Sequence, residues 1–260
     1  MKYNYHTHTA LCYHATGKKE DYVLAAIEAG FDEIGFADHS PWNFEDYVSN
    51  MRMAKEDLPF YCKGVKALNE KYKDKISIRL GLECEYFPKY IPWLKEQISE
   101  YKIDYIILGH HFSADEPDSV YNGNLHTPLQ LYRYRDDVLE AMDTGLFSYV
   151  AHPDLFMRGY PVFDSHCRKV SEDIIRKSLE TGIPLEYNLL GLSHSKNDGK
   201  QGYPYPDFWD MVGEMKPPVT MGIDAHNPRS YLDRELYQGG LDALSSRGLV
   251  MEKRIKMLGE

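Results

Sequence analysis

Apolar residues recur along this chain with two periods, and their alternation predicts the order of its elements. Residues 2–6 form a short apolar-polar run that reads as a strand. Residues 21–29 set Val23, Leu24 and Ile27 among alanines and end at Gly30, the pattern of a helix with its C-terminal glycine. The run 34–37 predicts a second strand and 55–72 a second helix. Ile76, Ile78, Leu80 and Leu82, two apart, predict a strand over 76–85, followed by a helix over 90–100. The continuous apolar run Tyr105-Ile106-Ile107-Leu108 has the character of a parallel strand covered on both faces. A helix over 129–143, a strand over 148–151, a helix over 165–180 and a strand over 184–189 follow; a proline is tolerated at the first position of that last strand. A short helix over 208–214, a strand over 219–223 and a closing helix over 231–244 complete the pattern. The polar stretches 113–127 and 193–205 read as loops.

Seven β-then-α units of about 30 to 40 residues point to an α/β fold: a single distorted (β/α)7 TIM-like barrel spanning 1–260, with its site at the C-terminal ends of the strands. No Gly-x-Gly-x-x-Gly or phosphate-loop pattern supports a nucleotide-binding open sheet instead.

Composition narrows the partners. The 260 residues are 43% hydrophobic, enough for a substantial core, and the formal net charge is −10. No block of consecutive Lys or Arg marks a surface for long nucleic acids, so the expected partner is a small molecule. Overall acidity does not exclude an anionic substrate, because clustered divalent cations would reverse the local field. Cys12, Cys62, Cys84 and Cys167 form no Cys-x-x-Cys pair, which disfavours a zinc ribbon or a thioredoxin-like motif and fits reduced thiols in the cytoplasm. The chain runs straight into its first strand without a basic-then-apolar leader, and no apolar run approaches membrane-spanning length. The expectation is a soluble cytoplasmic protein.

Placing the metal-capable side chains on this map changes the picture most. His6 and His8, one residue apart, would point the same way from a strand end and bind one ion. His39, Glu83, His111, His152, Asp224 and His226 also fall at or just past predicted strand ends, so six of the seven strands contribute. Each residue alone has an ordinary reading as a core or surface group. Their common position predicts a metal site.

In order and spacing, His6-Thr7-His8, His14, Ala37-Asp38-His39, Glu83, Gly109-His110-His111, His152-Pro153 and Asp224-Ala225-His226 resemble the motifs of the PHP (polymerase and histidinol phosphatase) superfamily. The resemblance covers essentially the whole chain. Length and the segment Leu185-Glu186-Tyr187-Asn188 look most like its stand-alone histidinol-phosphate phosphatases. That implies a seven-stranded distorted barrel with a centre of two to three divalent ions (Zn, Fe or Mn). It also implies that His6, His8, Glu83 and Asp224 hold one ion, that Glu83 bridges to a second held by His111 and His152, and that His14, His39 and His226 hold a third. The family usually has one histidine in its fourth motif; the frame counted from Asp104 favours His111 over His110, which would face away or sit near substrate.

Chemistry supports the implied activity independently. Hydrolysis of a phosphate monoester needs a nucleophile at neutral pH, charge neutralisation on the phosphoryl group and help for the leaving alkoxide, and clustered ions with a bridging hydroxide meet all three needs. Glu83 suits a bridge because a carboxylate has two oxygens whereas an imidazole offers one free nitrogen. Glu83, Asp224 and His226 are the catalytic candidates. Arg158, six residues past His152, would clamp the phosphate, and His110 is a second substrate-binding candidate. His126, His166 and His194 lack a strand-end position, and Cys12 fits a small packing role better than ligation. Two alternatives stay open. An amidohydrolase also opens with His-x-His but lacks this use of His14, His39 and Glu83, and it would cleave a cyclic amide rather than a phosphomonoester. A non-catalytic or nuclease-accessory module would hold metal and stay inert.

Overall fold

The computed structural model describes residues 2–45, 47–114, 119–199, 202–252 and 254–260. Among the described residues six strands form: β1 (Tyr3–Asn4), β2 (Glu33–His39), β3 (Ser77–Cys84), β4 (Tyr105–Leu108), β5 (Leu185–Asn188) and β6 (Val219–Gly222). They pair in parallel as β1-β2-β3-β4 and β5-β6. Residues 148–151, expected as a strand, make only isolated bridges, yet they join the two sheets. Leu108 N donates to Tyr149 O (3.0 Å) and Ala151 N to Leu108 O (2.9 Å) on one side, and Glu186 N to Val150 O (2.9 Å) on the other.

The seam between β6 and β1 is irregular. Only Thr7 and Ala225 bridge there, with Ala225 N donating to His6 O (3.1 Å) and His8 N to Ala225 O (3.0 Å). The buried Asn4 amide fills the gap: its oxygen accepts from Ile223 N (2.8 Å), and its nitrogen donates to His6 O (3.1 Å) and the Tyr231 hydroxyl (2.8 Å). A side chain thus does what a ladder would do. This is why β1 stops at Asn4 instead of continuing to residue 6 as the sequence pattern suggests.

The outer layer is α1 (Lys19–Glu28), α2 (Leu58–Tyr72), α3 (Ile91–Tyr101), α4 (Pro128–Asp143), α5 (Ser165–Thr181), α6 (Leu189–Asp198), α7 (Pro206–Met215) and α8 (Arg234–Ser246). Thr127 caps α4 in a reciprocal box with Gln130, and the Asp164 carboxylate caps α5 through the His166 and Cys167 amides. Residues 55–57, expected as helix, form a 3-10 turn before α2, and the closing helix likewise splits into a 3-10 turn, Pro228–Leu232, and α8.

The larger correction is α6, which occupies half of the expected loop 193–205. Asn188 caps it by accepting from Gly191 N (2.9 Å). Its glycine and polar residues show no apolar period, so the pattern could not announce it. Within the two expected mouth loops, residues 115–118 and 200–201 lie outside the described residues.

Two apolar clusters result. One lies between strands and helices; the other fills the barrel interior with Tyr5, Ala37, Tyr105, Ile107, Tyr149, Ala151, Ile255 and Met257. Ile255 and Met257 come from the C-terminal tail, which crosses the N-terminal end of the barrel and is tied by Glu252 N to Val219 O (2.8 Å) and Leu258 N to Asp104 O (2.8 Å). The tail closes the bottom of the barrel, leaving its other end open for chemistry. Among the described residues, no helix is long and apolar enough to cross a membrane.

Candidate metal centre

Parallel register sets the first contacts. His39, the last residue of β2, is the Cα partner of Glu83 on β3, and Ser40 N donates to Glu83 O (2.8 Å). Glu83 then leans over the end of β4, where a β-carbon on Gly109 would collide with its carboxylate. Only glycine leaves that space.

Around Glu83 (1% exposed) the structure gathers five imidazoles from four segments. Oε1 faces His152 Nε2 at 2.9 Å, His6 Nε2 at 3.4 Å and His111 Nε2 at 3.6 Å; Oε2 faces His39 Nδ1 at 2.9 Å and His8 Nε2 at 3.5 Å. Asp224 Oδ1 lies 3.1 Å from His8 Nε2, 3.4 Å from His6 Nε2 and 3.3 Å from His226 Nδ1. His152 (φ 32°) and Asp224 (φ 54°) both hold left-handed backbone, unusual for residues with a β-carbon and costing about 1–3 kcal/mol each.

Several polar atoms here are not satisfied by one another. His6 Nε2, both nitrogens of His8, His39 Nδ1, Glu83 Oε2, Asp224 Oδ1 and His226 Nε2 are buried without a hydrogen-bond partner; the close His39–Glu83 approach lacks hydrogen-bond alignment. Each such group costs about 1–3 kcal/mol unless something absent from the polypeptide pairs it. Nitrogen and carboxylate donors converging in this way fit divalent ions. Ligand atoms lie within 4.8 Å of one another in five sets: His6-His8-Glu83, His6-His152-Asp224, His39-Glu83-His111, His14-His39-His226 and His8-Cys12-His226. The sets His6-His8-Glu83 and His14-His39-His226 match groups that the resemblance implies; His152, 2.9 Å from Glu83, also falls in with His6 and Asp224, and His39 also with Glu83 and His111.

Charge on these groups follows from the geometry. Burial opposes ionisation of Glu83, but the imidazoles of His111, His6 and His39 and the bond to His152 hold it well below the usual carboxylate range. Asp224 is held low by His6, His226 and His8, also against burial. Burial works against a charged His6, yet Asp224, Glu186 and Glu83 raise it well above the ordinary value. Burial drives His39 down to about 3, which keeps a free nitrogen available there.

Two supporting groups carried no assigned role in the sequence. Glu186 on β5 is fully buried. Its carboxylate accepts a hydrogen bond from His6 Nδ1 at 2.8 Å, so that His6 presents Nε2 to the cluster; it also accepts from His152 N (3.1 Å) and the Asn188 amide (3.0 Å). Gly222 makes room for it, since a β-carbon there would strike the carboxylate. Asp38 accepts from the Thr9 amide (3.1 Å) and hydroxyl and sits 3.4 Å from His8 Nδ1. The available signal was polarity inside strands buried at every position, Leu185–Asn188 and Glu33–His39.

A cavity of about 390 Å³ opens over the cluster, lined by its histidines and carboxylates and by Met51, Tyr121, Arg158, Leu190, His194 and Tyr203. Arg158 therefore reaches the site, its guanidinium 5.5 Å from the Tyr121 ring centre, and that ring stacks on His111 at 6.2 Å. His194, left aside as lacking a strand end, lines the cavity from α6. His110 does not line it. Past the end of β4 the chain turns, with His111 N donating to Gly109 O (2.9 Å), and His110 is carried away to pair with Asp137 (3.1 Å) and to accept from Tyr86 N (3.3 Å). His110 is buried there with protein partners, so the structure does not bring this substrate-binding candidate to the site.

A family model described as the PHP domain matches residues 4–189. The chain belongs to the PHP family. It is similar over 86% of its length to a Deinococcus radiodurans protein named "Probable histidinol-phosphatase", at 30% identity and covering 85% of that protein. It is also similar to the histidinol-phosphatase of Bacillus subtilis, at 25% identity over 85% of this chain and 92% of the relative. Among solved structures, the histidinol phosphate phosphatase of Lactococcus lactis, complexed with zinc, L-histidinol and phosphate, superposes with a TM-score of 0.75 at 20% identity, covering 98% of each chain. This PHP chain therefore shares that fold along essentially its whole length.

Proposed function

We propose that this chain is a metal-dependent phosphatase that hydrolyses L-histidinol phosphate to L-histidinol and phosphate, a step of histidine biosynthesis, with two to three ions of the zinc, iron or manganese type. The observation that carries the reading is the division of labour at Glu83: one oxygen faces His6, His111 and His152, the other His8 and His39. A single carboxylate so placed would help those imidazoles hold more than one ion. The histidinol-phosphatase relatives support the choice of substrate.

Bound ions would supply an activated water at neutral pH and neutralise charge on the phosphoryl oxygens. The remaining work falls to the chain. His6, His8 and Asp224 hold the buried end of the centre, His111 and His152 the side under Tyr121 and Tyr203, and His14, His39 and His226 the outer end. Glu186 locks the tautomer of His6, and Asp224 and His226 orient each other across 3.3 Å. Arg158, exposed on the rim, contacts the phosphate and holds it over the cluster. Tyr203, edge-on to His152 at 5.7 Å, narrows the cavity and limits water around the phosphoryl group.

The test is phosphate release from a panel of small phosphate esters, histidinol phosphate among them, by protein of measured metal content. Histidinol phosphate is expected to exceed the other esters by at least about tenfold in kcat/KM, a margin of roughly 1.4 kcal/mol. Fully loaded protein that cleaves none of them would overturn the phosphatase reading, and a uniform low rate on all would overturn the substrate.

A further inference from the structure

All four cysteines are buried, yet one has a different environment. Cys62, Cys84 and Cys167 belong to the apolar core, where a thiol behaves as a small hydrophobe; Cys12 belongs to neither apolar cluster. Its neighbours are polar. The sulfur and ligand nitrogens of His8 and His226 all lie within 4.8 Å of one another. Tyr13, between Cys12 and His14, holds left-handed backbone (φ 65°) and is itself exposed, while Cys12 is fully buried.

The second observation is independent of the thiol. His8 is fully buried and both its ring nitrogens lack a hydrogen-bond partner, as does His226 Nε2. The other nitrogen of His226 lies 3.1 Å from Asp224 O, and His14 Nδ1 lies 2.6 Å from Cys12 O, so each ring leaves Nε2 free for a ligand role. Buried nitrogens of this kind cost about 1–3 kcal/mol each until a cation pairs them, and the Cys12 sulfur lies within reach of the same position. A cation between the sulfur, one nitrogen of His8 and Nε2 of His226 would pair those atoms.

We propose that the Cys12 thiolate is a ligand of the ion held by His226, making that end of the centre a mixed imidazole–thiolate site. On binding, the sulfur–hydrogen bond is replaced by a sulfur–metal bond and the proton leaves to solvent; no electrons are transferred. Such a donor set favours zinc or iron(II) over manganese or magnesium, whereas the carboxylate-rich Glu83 end discriminates less. The inference rests on the metal-centre reading above, and the experiment separates the two.

Full-length protein is loaded with cobalt(II) and its absorption recorded beside bound-metal analysis and histidinol phosphate hydrolysis. The expected result is an intense sulfur-to-cobalt charge-transfer band in wild type that Cys12→Ser abolishes, with ligand-field absorption from the remaining cobalt retained. Cys62→Ser, Cys84→Ser and Cys167→Ser are expected to keep the band, which assigns it by elimination should Cys12→Ser not fold. Cobalt-bound, hydrolytically active protein without the band overturns the thiolate ligand alone, as does a band that survives Cys12→Ser or disappears with one of the other three. Protein that binds no cobalt overturns the thiolate ligand together with the metal centre.

Discussion

Two buried carboxylates at opposite ends of one barrel show how differently the same side chain is used. Glu33 opens β2 at the plugged end. Its Oε1 accepts from the Tyr5 hydroxyl (2.6 Å), and its Oε2 from Ser77 Oγ and Arg79 Nε, both at 2.8 Å. Every lone pair that matters has a protein donor, and despite burial the bonds from Tyr5, Arg79 and Ser77 keep the carboxyl below its usual range. Glu83 lies near the end of β3 at the open mouth. It is surrounded by five imidazoles, and its Oε2 has no hydrogen-bond partner. The first arrangement is complete as folded and serves stability; the second is completed only by cations and serves chemistry.

That contrast fails first at Glu83. Glu83→Gln keeps the shape but removes the charge, and we expect kcat to fall by roughly 10³-fold or more with bound metal lost in parallel. Wild-type turnover and metal content in this variant, measured by steady-state kinetics and elemental analysis, would end the bridging role.

The next test uses protons as competitors. His6 and His8 are held protonated above the ordinary imidazole range by neighbouring carboxylates, against the effect of burial. An ion must displace those protons, so apparent zinc affinity should rise with pH, by about tenfold per unit for each proton displaced. Chelator competition at pH 6 and pH 8 measures the slope, and a flat or inverted dependence contradicts it. Arg158→Ala should lower kcat/KM for histidinol phosphate by roughly 10- to 100-fold, the value of charge-assisted bonds worth about 1.5–3 kcal/mol. Metal content unchanged and kinetics unchanged together would remove Arg158 from the site.

The smallest effect is expected at the other end. Glu33→Gln should cost about 1–3 kcal/mol, a fall in Tm of roughly 2–4 °C per kcal/mol, with turnover per folded molecule intact. Lost metal in that variant would show that the two ends are not independent.

Much of this organisation was legible in the residues themselves. The period-two and helical runs predict the alternation that the structure adopts, because burial of one face forces those periods whatever the partners are. A parallel barrel collects strand ends on one rim, so His6, His8, His39, Glu83, His152 and Asp224 meet once the strands are parallel. What lay beyond the sequence depends on which side chain fills which space between segments far apart in the chain. Strand alternation ends with the strand, so only the turn after Leu108 decides that His111 faces the cavity and His110 faces Asp137. Glu186 meets His6 across 180 residues, Asn4 closes a seam with Ile223, and the tail seats Ile255 and Met257 in the barrel; none of these has a period to announce it. Local pattern determined the elements and the rim they share. Tertiary packing decided how ligand atoms are grouped there, because polar satisfaction is settled among neighbours in space and not along the chain.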